Sequence, residues 1–499
     1  MIGSSTGPLT PSRVLIVDLP GPDLTPDQGR LLRQSGFGGV CLFARNFSTE
    51  KRTARLVSDI RDALGPHALI ATDQEGGAVL RRLDVPMPPS PLALGVLDSE
   101  DAAREAGRIA ARGLLDLGIN WNFAPCLDVN VNTDNPVIGE RSFGHDPETV
   151  ARLGVAWALG SEEAGVMASV KHFPGHGDTS QDSHLTLPTV DKPRSELERT
   201  EWLPFRRAVQ AGVGSVMTAH ILYPALDPDA PATLSPAVLS GLLRLDWGYD
   251  GVIVTDATDM HAIADRYPAG AAAPLALSAG ADTVLSCGHG DMETHTDHRQ
   301  ALLSALREGR LSEARVHEAC ARLDRAVNRF PGVPAPYTAD QRSLDTAQVQ
   351  RWAEQALTWV GIPPRLDPAL PLLLIAPISA PVGGPYGDSL SGAHLATLLK
   401  EIYPHLHTVL HDDHDPTAAL GLLDRFPGIP VLLATTGRWS LTELPRFLAS
   451  RLREEQRSAL HLVLWNADQA AELKLPSLIS HGFRPANLQA LAQALMALR

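Results

Sequence analysis

At 499 residues the chain is longer than the roughly 250–300 residues that one hydrophobic core supports, so two domains are expected. Its 43 basic and 57 acidic residues leave a net charge of −14, which argues against nucleic acid as a partner, and no apolar run approaches the ~18 residues that span a bilayer. Cys41, Cys126, Cys287 and Cys320 are widely spaced with no CxxC pair, and the chain opens without a basic, apolar leader; reduced thiols, a cytoplasmic location and a fortuitous sequon at Asn46 are expected.

Eight short apolar runs then follow one another: Val14–Asp18, Gly39–Phe43, Leu69–Asp73, Trp121–Ala124, Val166–His172, Ser215–His220, Gly251–Asp256 and Asp282–Ser286. Amphipathic stretches lie between them, among them Asp27–Ser35, Ala102–Leu117, Pro147–Ala164, Ser195–Ala211 and Ala269–Ala279. Uniformly apolar strands alternating with helices predict a parallel sheet covered by helices, and eight such units predict a closed (β/α)8 TIM-type barrel. Several runs finish on a polar residue (Asp18, Asp73, His172, His220, Asp256), at the strand ends where such barrels carry their active sites. Asp18 has no motif around it and reads as a cap or a loop-satisfying residue.

The proline-rich stretch Phe330–Tyr337 ends the pattern, and a helix is predicted near Thr346–Val360. A second alternation follows: Leu372–Ala376, His407–Leu410, Val431–Thr435, His461–Trp465 and Ser477–Ser480, with helices such as Pro445–Glu454 and Ala486–Leu498. It predicts a smaller, open α/β sandwich. The expected division is a barrel over 1–330, a linker and connecting helix over 331–366, and a second domain over 367–499. Neither GxGxxG nor GxxxxGK[ST] occurs, so nucleotide binding has no support.

The densest chemistry lies in Lys171–His184 (KHFPGHGDTSQDSH), which starts at a strand end and holds three His, two Asp and one Lys in fourteen residues. A turn needs its glycines and proline, not that density of titratable groups. Two chemistries could use it. A metal site would draw on His172, His176, Asp178 and His184, although Pro174 and Gly175 keep the first two off a helix face. Metal-free acid–base work would use Asp182 and His184: in an extended segment residues i and i+2 share a side, so the carboxylate could orient the imidazole and favour its protonated form. Further along, Gly251–Met260 (GVIVTDATDM) delivers Asp256 to the rim as a nucleophilic carboxylate or a helix cap, with Asp259 as a cap for the next helix. Leu69–Arg81 (LIATDQEGGAVLR) ends a strand on Asp73, and Asp73 with Arg81 suits a polyhydroxylated ligand; Arg141 follows in the loop Asn135–Gly144.

These four segments, in this order, resemble family 3 glycoside hydrolases and, within them, the β-N-acetylglucosaminidases of the two-domain type; the likeness spans roughly residues 10–330. The resemblance implies a retaining exo-acting hydrolase that removes terminal β-linked N-acetylglucosamine. It implies Asp256 as nucleophile, His184 paired with Asp182 as acid/base, and Asp73, Arg81, Arg141, Lys171 and His172 as sugar-binding residues. It also implies no metal or cofactor, and N-acetylglucosaminides such as muropeptides from peptidoglycan as substrates, with no membrane or nucleic-acid partner. One departure stands out: the family often shows Asp-Asp-Leu-x-Met where this chain has Asp256-Ala-Thr-Asp-Met260. The competing readings are a metal-dependent hydrolase built on the His-rich loop and a non-catalytic carbohydrate-binding protein.

Overall fold

The computed structural model describes residues 10–183, 185–268, 270–378, 391–412 and 416–498. Eight parallel strands form the first sheet: β1 Leu15–Asp18, β2 Gly39–Leu42, β3 Leu69–Thr72, β4 Trp121–Asn122, β5 Met167–Phe173, β6 Ser215–Thr218, β7 Val252–Val254 and β8 Val284–Ser286. Each pairs with its sequence neighbour, β1 pairs with β8, and a bridge between Val254 and Thr283 closes the ring. Alternate residues of each strand face opposite ways. Ile16, Cys41, Ala71, Trp121, Met217, Val254 and Leu285 fill the barrel interior. Val17, Val40, Ile70, Val170, Val216 and Ile253 pack outward against the helices. Burial on both faces explains why the strands read as unbroken apolar runs.

Except for β5, the barrel strands are shorter than the apolar runs, and two helices differ from expectation. The stretch predicted as one helix over Ser195–Ala211 is a short turn of helix, Arg194–Leu197, followed by Trp202–Ala211. At the break, Thr200 Oγ1 donates to the Glu196 carbonyl at 2.9 Å, and Glu201, fully buried, takes up Lys192 at 2.7 Å. The helix expected near Thr346–Val360 runs instead from Ala339 to Ala356 and gives way to a strand, β9 Thr358–Val360.

The second sheet contains β9, β10 Leu372–Pro377, β11 Leu406–His411, β12 Val431–Thr435, β13 Ala459–Val463 and β14 Ser477–Ile479, in the order β11-β10-β12-β13-β14-β9. Five strands are parallel; β9 adds an antiparallel sixth against β14. Leu374, Leu432, Leu460 and Leu478 pack on one face with Leu395, Leu399 and Leu491. Leu373, Ile375 and Leu433 pack on the other with Leu423, Leu448 and Leu452. The helix Ala339–Ala356 couples the domains: Val349 and Trp352 join the apolar cluster of barrel helices 100–115 and 147–163, and Arg112 grips Asp345 with two 2.8 Å bonds. Among the described residues no helix is long and apolar enough to cross a membrane.

Candidate active site

The C-terminal ends of the barrel strands open into a cavity of about 320 Å³. Its floor is apolar, made by Cys41, Phe123, Met217, Leu285 and Cys287 from the barrel interior. Asp73, Arg81, Arg141, Lys171, His172 and Asp256 all line it, gathered from positions up to 183 residues apart (73 to 256).

One wall is a buried ionic lattice. Lys171, carried in by β5, sits 2.8 Å from Asp73 Oδ1 and 2.6 Å from Glu75 Oε1. Arg141 holds both oxygens of Glu75, at 2.9 and 2.8 Å. Burial alone would raise the Glu75 carboxyl, but the Arg141 and Lys171 charges beside it hold it well below the usual carboxylate range. Lys171 is raised for the complementary reason: burial opposes its charge, and Asp73 and Glu75 more than offset that. Arg81 reaches Asp73 at 3.3 Å, and its Nε is buried without a hydrogen-bond partner.

Behind this wall, His172 Nδ1 donates to Asp128 at 2.7 Å, and its Nε2 lies 3.4 Å from Arg141. Asp128 also accepts the backbone N–H of His176 at 2.6 Å and the Cys126 thiol at 3.0 Å. Burial would lift Asp128, but the His172 charge and these hydrogen bonds bring it down to about 2. Burial, with His172 beside it, lowers His176 to about 4, so it stays neutral.

Cys126, Asp128 and His172 place ligand-type atoms within 4.8 Å of one another. As they stand they form a hydrogen-bond network: burial raises the Cys126 thiol above its ordinary range, and it donates to Asp128. Of the other metal set considered from the sequence, His184 lies outside the described residues. The rings of His172 and His176 meet edge to face at 5.6 Å, and Asp178 pairs with Lys192 at 3.0 Å.

The opposite wall is sparse. Asp256 follows β7, and one of its oxygens accepts the N–H of Ala257 at 2.8 Å. His220, the polar end of β6, donates Nε2–H to the Ala257 carbonyl at 2.9 Å and so steadies that strand end. Thr258 ties the next residue to β8, its backbone N–H donating to Leu285 O at 3.1 Å. Asp259 does not cap the next helix, whose N-cap is Met260 without a side-chain bond. It lines the pocket instead, 3.7 Å from the exposed His289, with Oδ1 unpartnered and burial raising its carboxyl. Asp18 is buried, accepts the N–H groups of Gly288 and Gly290, and also borders the cavity.

Asp182 is buried but does not line the cavity, and His184 lies outside the described residues. The segment before it is tethered to the ionic wall, with Ser183 Oγ 2.9 Å from His176 Nε2. The Asp182 carbonyl accepts the N–H groups of Leu185 and Thr186, at 2.9 and 3.1 Å. The i, i+2 relation of Asp182 to His184 falls on a residue outside the described ones.

Glu75, Asp128 and Asp259 join the residues singled out from sequence. Glu75 and Asp128 take their places from partners far along the chain, Arg141 and His172, which local spacing does not mark.

Residues 16–326 match the model of the glycosyl hydrolase family 3 N-terminal domain. A beta-hexosaminidase A from Pseudoalteromonas piscicida is 33% identical over 408 residues, which is 75% of this chain and 67% of that protein. A beta-hexosaminidase from Alkalilimnicola ehrlichii is 39% identical over 282 residues, 55% of this chain and 80% of its own length. The solved structure of a glycoside hydrolase family 3 beta-N-acetylglucosaminidase from Paenibacillus sp. str. FPU-7 superposes with a TM-score of 0.88 at 33% identity, covering 98% of this chain and 96% of that one. On the barrel, the site at its mouth and these likenesses, the chain belongs to glycosyl hydrolase family 3.

Proposed function

We propose that this glycoside hydrolase is a retaining exo-β-N-acetylglucosaminidase acting on peptidoglycan fragments in the cytoplasm. The observation that carries the reading is the pocket's asymmetry. Asp256 faces a cavity whose other wall offers carboxylate, guanidinium and ammonium groups with hydrogen-bonding capacity left over. Arg81 Nε is an unspent buried donor and Asp259 Oδ1 an unspent acceptor, as a polyhydroxylated ligand requires. The apolar floor closes the cavity from below, which suits a chain-end sugar. The names of the similar proteins, beta-hexosaminidase and beta-N-acetylglucosaminidase, support the sugar.

In this reading Asp73, Arg81, Arg141, Lys171 and His172 hold the sugar. An oxygen of Asp256 attacks the anomeric carbon while the bond to the aglycone oxygen breaks, and His184, oriented by Asp182, gives that oxygen its proton. The neutral imidazole then takes a proton from water, which displaces Asp256 and returns the sugar with its configuration retained. An imidazolium supplies the proton and becomes neutral, without placing a second carboxylate beside the nucleophile.

The test is a panel of aryl β-glycosides (N-acetylglucosaminide, glucoside, xyloside, N-acetylgalactosaminide) with and without phosphate, the first-formed anomer being read by proton NMR. Fastest cleavage of the N-acetylglucosaminide, an initial β-anomer and indifference to phosphate are expected. Preference for another sugar, an initial α-anomer, or a phosphate-dependent sugar phosphate would overturn the reading.

A further inference from the structure

The sugar-recognition loop after β3 is gripped from the second domain. Arg484 donates Nε–H to the Gly77 carbonyl and an Nη2–H to the Ala78 carbonyl, each at 2.8 Å. The other edge of the same turn is held by the barrel, where Glu140 Oε1 accepts the Ala78 N–H at 3.0 Å. The turn is wedged in place. Gly76 and Gly77 have φ of +113° and +56°, and a Cβ on Gly77 would stand 2.6 Å from that of Ser90. Ser90 Oγ in turn donates to the His481 carbonyl at 2.8 Å, three residues before Arg484. Ala78 itself belongs to the apolar cluster of the second domain, with Trp465 and Phe483.

This turn is short and internally zipped, so what holds its tip sets its base. Glu75 and Gly76 donate their N–H groups to the Val79 carbonyl. The Gln74 side chain accepts from the N–H groups of Arg81 and Arg82 at 2.9 and 3.0 Å, and donates to the Arg82 carbonyl at 2.8 Å. Asp73, Glu75 and Arg81 are thereby parts of one hairpin, and all three belong to the ionic wall. A guanidinium with two bonds to consecutive carbonyls fixes orientation as well as distance.

We propose that Arg484 is a positioning residue, by which the second domain sets the placement of Asp73, Glu75 and Arg81 for sugar binding. The second domain is then a structural part of the sugar subsite, although none of its described residues lines the cavity. The proposal rests on the pocket being the sugar site, and the experiment has one arm that does not.

The activity-independent arm is hydrogen exchange, followed by mass spectrometry on full-length Arg484→Ala and wild type. Amides of residues 74–80 should exchange about 10-fold faster in the variant, with β5 and the second sheet unchanged. The kinetic arm uses an aryl β-N-acetylglucosaminide. KM should rise about 10-fold with kcat within about threefold, Arg484→Lys should be intermediate, and added methylguanidinium should recover part of the loss. Should Arg484→Ala misfold, Arg484→Lys and Arg484→Gln carry both arms. Unchanged exchange in the turn overturns the proposal, as does a kinetic loss without KM change or rescue. A wild type inert toward every glycoside would count against the activity, while the exchange arm would still decide the role of Arg484.

Discussion

The two walls of the pocket accommodate buried charge differently. On the side built by β3 and β5, Glu75 shares its oxygens between Arg141 and Lys171, and Lys171 is shared with Asp73. On the side built by β7 and β8, Asp259 has a carboxyl raised by burial, one bare oxygen and an imidazole at 3.7 Å. Asp256 there is steadied through its neighbours' backbone. A lattice of matched charges is stiff and holds a shape; it suits recognition of a ground-state sugar. The other wall carries Asp256, the carboxylate that attacks carbon in the proposed mechanism. The division of labour predicts that damage to one wall costs stability and damage to the other costs chemistry.

The largest effect should follow Asp256→Ala. Turnover of an aryl β-N-acetylglucosaminide should fall by about 10³-fold or more, because the proposed mechanism then lacks its bond-forming group. Thermal unfolding should be unchanged or slightly higher, since removing an active-site carboxylate relieves local repulsion. A large fall in melting temperature would place Asp256 in the structural lattice and break the comparison.

Glu75→Gln is the converse. It leaves Arg141 and Lys171 buried beside a neutral amide, and about 3–5 kcal/mol of stability should be lost, measured by denaturant unfolding near pH 7. The Glu75 carboxyl is depressed from its ordinary 4.5, so its stabilisation is present above that pH and fades as pH falls through the lower folded value. The gap between wild type and variant should therefore narrow in acid. An equally stable variant would mean that the lattice is not what holds this wall.

His184 tests whether a segment tethered to the stiff wall serves the chemistry of the other. His184→Ala should slow an alkyl β-N-acetylglucosaminide by about 10²-fold, and a dinitrophenyl one far less, because that leaving group departs without a proton. Equal losses on both would remove His184 from proton transfer.

Much of this was legible in the sequence, for a definite reason. Strands buried on both faces must be apolar throughout, so their polar ends are conspicuous; Asp73, His172 and Asp256 stood out in this way. Glu75 and Asp128 did not, because each is explained by a partner far along the chain, Arg141 at 66 residues and His172 at 44. Local spacing carries no trace of such pairs. The strand β9 escaped for a similar reason. Thr358–Val360 continues the apolar rhythm of the helix before it, is partly exposed, and becomes a strand only because β14, more than a hundred residues on, offers an edge.

The last effect concerns an acid beside the ionic wall whose protonated form burial favours. Glu140 is buried behind the 76–79 turn. Burial raises its carboxyl from 4.5 to about 8, against the Ala78 N–H and the Arg484 and Arg141 charges, with Glu75 adding to the rise. A carboxyl whose folded pKa lies above its unfolded one binds protons more tightly in the native state. Its stabilisation is complete below pH 4.5 and is lost as pH rises to about 8. Glu140→Gln keeps a carbonyl oxygen for the Ala78 N–H and cannot ionise, so it escapes that loss. Relative to wild type, the variant should gain stability steadily between pH 5 and 8 and level off above the folded pKa, as read from unfolding midpoints across that range. A constant difference at all pH values would mean that Glu140 is already ionised at neutrality. In that case a second fixed charge, and not a proton, would stand between the barrel and Arg484.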